Sequence, residues 1–194
     1  IPLDITDLNP DYYTGALHKW LCCPKGVSFL YVKRERQSGI EPMVKSWGWG
    51  EEYDAFKGST QLHGPSRFVN VFQWQGTRDM SAFLTVPEAI QFQDEYDWDS
   101  VRVRCKAMIQ DFRNQITERT ALPKLCPDDW LGQMATILYP MDDVTTFKQM
   151  LYNDYKIEMP TMSANGQSAF RISIQGYNSD SDVDRLLSTL KKFL

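Results

Sequence analysis

A histidine and a lysine stand side by side, His18-Lys19, within residues 11–26, and that stretch runs directly into the apolar run 27–32. Pro24-Lys25-Gly26 between them is a turn signal. The spacing predicts that the Lys19 amine sits at the end of a buried element rather than on an open face. Lost hydration disfavours the charged form of a lysine, so its pKa is expected to fall. A neutral amine attacks carbonyls and can hold a cofactor as a Schiff base. An ordinary surface lysine is the alternative that spacing alone leaves open. A second candidate is Gly76-Thr77, a compact turn whose backbone and hydroxyl can both donate to an anion. The third is Arg171, on the polar face of an alternating run. A guanidinium there must be paired, and it can grip a carboxylate with two parallel hydrogen bonds. An ion pair with an acidic side chain is the alternative.

The elements that must position these residues follow from periodicity. Residues 12–17 and 27–32 read as two buried strands flanking the lysine turn, and 68–74 as a third. Residues 4–9 suit one helical turn, and 33–39 a solvated charged turn. Thr85-Val86-Pro87-Glu88 has the form of a capping box opening a helix that ends near Asp94. Asp97 to Ser100 opens a longer one, with Val101, Cys105, Met108, Ile109, Phe112 and Ile116 on a core-facing stripe and Pro123 as its stop. Residues 134–139 read as a strand, Asp142-Asp143 as the cap of a helix from Val144, and 170–175 as an alternating strand. Ser181 is expected to cap the last helix. Residues 42–64, with Trp47-Gly48-Trp49-Gly50, have no clean period and are expected to form a functional or partner-contacting segment.

Composition narrows the class. The 194 residues are 42% hydrophobic, enough for a proper core, and the net charge of −4 argues against nucleic acid as a main partner. No apolar run is long enough to span a bilayer. The cysteines, Cys22, Cys23, Cys105 and Cys126, offer neither a disulfide framework nor a zinc spacing. With only His18 and His63 as histidines, no metal site is expected. The chain reads as a reduced, cytoplasmic protein.

The run Thr14-Gly15-Ala16-Leu17-His18-Lys19-Trp20-Leu21-Cys22-Cys23-Pro24-Lys25-Gly26 resembles the cofactor-lysine segment of class V aminotransferases, which depend on pyridoxal 5′-phosphate (PLP). It looks most like the isopenicillin N epimerase-like branch, whose other relatives include the cysteine desulfurases. Trp74-Gln75-Gly76-Thr77-Arg78-Asp79 and Phe170-Arg171-Ile172-Ser173, followed by Tyr177-Asn178, agree in order. The resemblance implies an α/β, fold type I architecture: residues 1–95 as the C-terminal part of the large PLP-binding domain, and 96–194 as a small α+β domain. It implies Lys19 as the Schiff-base residue, with Lys25 its rival inside the turn, and His18 as a donor to the cofactor phosphate. Gly76 and Thr77 are implied to reach the phosphate of a neighbouring subunit, making a homodimer with shared sites, and Arg171 to anchor the α-carboxylate of an amino-acid substrate. Ala16 departs from the family, where serine or asparagine is common; the lost donor is expected to weaken cofactor binding unless Thr14 or a water replaces it.

In that family the position of Ile1 lies midway through the protein, so the chain is expected to be the back half of a longer enzyme. The carboxylate for the pyridine nitrogen and the ring-stacking residue would precede it, and these residues alone should bind PLP weakly or not at all and be inactive. Desulfurases carry a catalytic cysteine shortly before the substrate arginine. Residues 160–169 hold none, which disfavours persulfide chemistry and leaves epimerisation, transamination and lyase chemistry open. A cofactor-free fragment or dimerisation domain is the competing reading.

Overall fold

A computed structural model describes residues 3–46, 49 and 66–194. Most of the expected partner-contact segment, including Trp47, Gly48 and Gly50, lies outside them. The chain divides into two compact units, Ile1–Gln93 and Asp94–Leu194.

The first unit is built on an antiparallel ribbon, β1 (Tyr12–Ala16) and β2 (Ser28–Val32), with Gly15 opposite Phe29 and Ala16 opposite Ser28. Contrary to the sequence expectation, these strands are not buried: Tyr12, Phe29 and Leu30 are 52%, 37% and 43% exposed. A two-stranded ribbon has too little surface to bury itself, and among the described residues of this unit the apolar core is small, with Cys23, Val27, Val32 and Val71. Before the ribbon, Asp4 caps the helical turn α1 (Ile5–Leu8) by accepting from the Thr6 and Asp7 amides. After it, residues 34–39 wind into a 3-10 turn.

Residues 68–74 are helical rather than extended. Helix α2 (Arg67–Gln73) is capped by the Ser66 hydroxyl, which accepts from Val69 N at 3.2 Å. Phe68 and Phe72, four residues apart, pack with ring centroids 4.9 Å apart. An apolar run this short fits either period, and the cap together with the i,i+4 aromatic pair decides for the helix. Short α3 (Ser81–Leu84) leads into α4 (Val86–Glu95). Thr85 is not a capping-box residue: its hydroxyl donates back to Ala82 O.

The second unit has a three-stranded antiparallel sheet, order β3-β5-β4, from β3 (Met134–Leu138), β4 (Thr161–Ala164) and β5 (Gln167–Ser173). Long helix α5 (Trp98–Thr120) lays Cys105, Ile109, Phe112 and Ile116 into the core, as its stripe predicts. They meet Tyr139, Phe170, Ile172 and Leu187 there. Arg113 is the surprise on that helix. It is fully buried, donating to Cys126 O and pairing with Asp128, and so ties the segment after α5 back to the helix. Asp143 caps α6 (Val144–Tyr155). The cap of α7 (Asp180–Leu190) is Ser179, two residues before the expected Ser181, in a reciprocal box with Asp182.

Candidate active site

Backbone hydrogen bonds shape the lysine loop. Leu17 N donates to Val27 O at 3.2 Å, closing the ribbon, and Cys23 N donates to Leu17 O at 3.1 Å. Cys22, with φ of 61°, turns its amide to Lys19 O at 3.2 Å. Gln93 Nε2 holds Trp20 O at 3.0 Å. The loop is therefore fixed without using the Lys19 side chain. The placement of Lys19 at the end of a buried element is corrected: the residue is exposed, because no described residue covers that end of the ribbon. Neither the Lys19 amine nor the half-buried His18 ring has a hydrogen-bonding or ionic partner among the described residues. Lys25 is also exposed, in the turn closed by Gly26 at φ of 103°.

Thr14 does not supply the donor that Ala16 lacks. Its hydroxyl donates across the ribbon to Phe29 O at 2.7 Å, so its proton is spent.

Gly76 adopts φ of 91°, a conformation that favours glycine, directly after the C-terminal end of α2. It leaves Thr77 exposed. The next residue, Arg78, was not singled out by sequence reasoning, although it lies inside the Trp74–Asp79 motif. Its guanidinium donates to Gln75 Oε1 at 2.8 Å and Gln73 O at 3.1 Å, and it stacks 4.8 Å from the Phe83 ring centroid.

In the second unit Arg171 lies on β5 opposite Thr136, exposed, with Phe170 and Ile172 turned into the core. It has no ion pair among the described residues, which corrects the expectation that a guanidinium there is paired. The alternation breaks at Gln175, expected beside Arg171 on the polar face. It is buried, and its Oε1 accepts from Gly176 N at 2.9 Å and Gln133 Nε2 at 3.1 Å. Arg171 lines a cavity of about 400 Å³ with Lys156, Glu158, Asn178, Asp182 and Arg185. Two of the cations there are engaged locally: Lys156 Nζ donates to Asn153 O and Arg185 Nη2 to Tyr155 O. Beside Arg171, residues 160–169 form the β4–β5 hairpin, turning at Asn165-Gly166 with φ of 54° and 74°.

His18, Lys19, Gly76 and Thr77 thus lie in one unit and Arg171 in the other. Among the described residues no helix is long and apolar enough to cross a membrane, and no cluster of His, Cys, Asp and Glu is placed to hold a metal.

The family model for aminotransferase class-V matches residues 1–186. An isopenicillin N epimerase from Amycolatopsis lactamdurans is 28% identical over 98% of this chain and 48% of its own length. A putative L-cysteine desulfhydrase from Oryza sativa subsp. japonica is 27% identical over 100% of the chain and 43% of its own. The fold is that of a cysteine desulfurase from Thermococcus onnurineus NA1, with a TM-score of 0.73 at 16% identity, covering 97% of this chain and 48% of that one. The chain spans about half the length of the curated relatives it matches.

Proposed function

Because this chain belongs to the class V aminotransferase family and has the α/β, fold type I architecture of PLP-dependent enzymes, we propose that it forms the cofactor-lysine and substrate-arginine portion of a PLP-dependent enzyme acting on an amino acid. The observation that carries this reading is the His18-Lys19 pair, presented on a backbone-locked loop with neither side chain partnered among the described residues. Lys19 directly follows the histidine, the order in the cofactor-lysine segment that this run resembles, whereas Lys25 lies inside the turn.

The residues fit the group. Lys19 would supply the amine for the cofactor aldehyde and would carry a proton to or from the substrate Cα. His18 would donate its ring N–H to the phosphate. Gly76 N–H and the Thr77 hydroxyl would donate to the phosphate held by a neighbouring subunit, which would make the working form a homodimer with shared sites. Arg171, which forms no ion pair among the described residues, would take the substrate α-carboxylate through its planar fork. Bound PLP supplies the electron sink for cleavage at Cα. Residues 1–95 are read as the end of the large cofactor-binding domain and 96–194 as the small domain. The four free cysteines suit a reducing, cytoplasmic setting.

Among reactions, the epimerase-like reading is preferred, with C–S lyase chemistry second. A persulfide-forming desulfurase is disfavoured because the segment before Arg171 is the tight β4–β5 hairpin and carries no cysteine. Borohydride reduction of the full-length protein with PLP, followed by peptide mass mapping, tests the assignment. The label is expected on Lys19, lost in Lys19→Ala and kept in Lys25→Ala. A label that survives Lys19→Ala overturns it, and no label at all in the full-length protein supports the cofactor-free reading.

A further inference from the structure

The first unit contains a cavity of about 570 Å³ between the β1–β2 ribbon and α2, within the range of small-molecule sites. Its apolar wall comes from Phe29, Leu30, Phe68, Val69 and Phe72. Among the described residues lining it, Arg78 is the sole charged side chain. Asp79, the adjacent carboxylate, is engaged elsewhere: it accepts from Ser81 N at 2.8 Å.

Arg78 is held as an anchor would be. Gln75 Oε1, Gln73 O and the Phe83 ring fix the guanidinium from three directions. A guanidinium carries five N–H donors, and these bonds use one on each terminal nitrogen. The remaining donors have no carboxylate partner among the described residues. Ser28 also lines the cavity, and its hydroxyl has no partner among the described residues. Thr14 offers only lone pairs there, its proton being spent on Phe29 O.

A pre-oriented cation beside an aromatic wall, with no counter-charge among the described lining residues, is complementary to an anion with an apolar body. We propose that this cavity is a binding site for a small organic monoanion, whose apolar body lies against Phe29, Leu30 and Phe72 and whose carboxylate or sulfonate is gripped by Arg78. Arg78 is itself exposed, so its charge-assisted bonds to the anion would form at the open edge of the cavity while the apolar body covers the aromatic wall.

The test uses two dyes of similar size in fluorescence titrations of the full-length protein: anionic 1-anilinonaphthalene-8-sulfonate and neutral N-phenyl-1-naphthylamine. The wild type is expected to bind the sulfonate at one site per chain. Arg78→Gln is expected to weaken it about tenfold or more while leaving the neutral dye within about twofold. Phe72→Ala should weaken both. Arg78→Met, which keeps the packing of the stem, is measured beside Arg78→Gln so that misfolding of one variant leaves the test intact. Sulfonate affinity unchanged in both Arg78 variants, or an equal loss for both dyes, overturns the proposal, as does binding at several sites indifferent to Arg78. Neither dye reports on Lys19, so the outcome stands apart from the cofactor assignment.

Discussion

Arg171 and Tyr139 show the two uses this chain makes of a long polar side chain. Arg171 projects from the middle strand with no ionic partner among the described residues, so removing it leaves no buried charge uncompensated. In the full-length holoenzyme Arg171→Ala is expected to raise KM for an amino-acid substrate by about tenfold to a hundredfold, the worth of a charge-assisted bidentate contact. PLP affinity should stay unchanged, and an unchanged KM would assign the residue a structural role. Tyr139 is fully buried, its hydroxyl donates to Leu190 O at 2.7 Å, and burial pushes its pKa up to about 12. Tyr139→Phe leaves that carbonyl without its donor. A cost of about 1–2 kcal/mol is expected, read as a lower urea midpoint at unchanged slope.

At the scale of elements, capping carboxylates hold the helix starts. The Thr146 amide, 2.6 Å from Asp143, holds that carboxyl below the usual range, and the Ser179 amide does the same for Asp182. A carboxylate whose folded pKa is depressed stabilises the fold above its unfolded pKa, near about 3.9, and that contribution is lost as pH falls through the folded value. Acid should therefore loosen the starts of α6 and α7. Asparagine keeps the cap acceptor without the titration, so Asp143→Asn is expected to flatten the fall of the urea midpoint between about pH 5 and pH 3. An equally steep fall would remove Asp143 from the acid response.

At the scale of the molecule, the two units differ in how much apolar surface each buries within itself. The second has a continuous core drawn from α5, the sheet, α6 and α7, whereas among its described residues the first has the exposed ribbon and a small cluster. Local opening follows buried contact. Amide hydrogen exchange of this chain is expected to show slow exchange in α5 and β5 and much faster exchange in β1 and β2. Equal protection of the ribbon would show that residues beyond the described core hold it.

Sequence alone determined what depends on local chemistry. The lysine turn, the core stripe of α5, the Asp143 cap and the order of the three motifs were all legible, because periodicity, caps and turn residues act over a few neighbours. Tertiary structure decided the rest. Whether residues 68–74 coil or extend was settled by the Ser66 cap and the Phe68–Phe72 pair. Whether Lys19 is covered depended on what packs against the ribbon, and Gln175 went inside because Gln133 and the Gly176 amide were there to bond it. Arg78 became a candidate only when Gln75, Gln73 and Phe83 were seen to hold it at the mouth of an apolar cavity. Burial and pairing are properties of what lies across the fold, and spacing along the chain does not encode them.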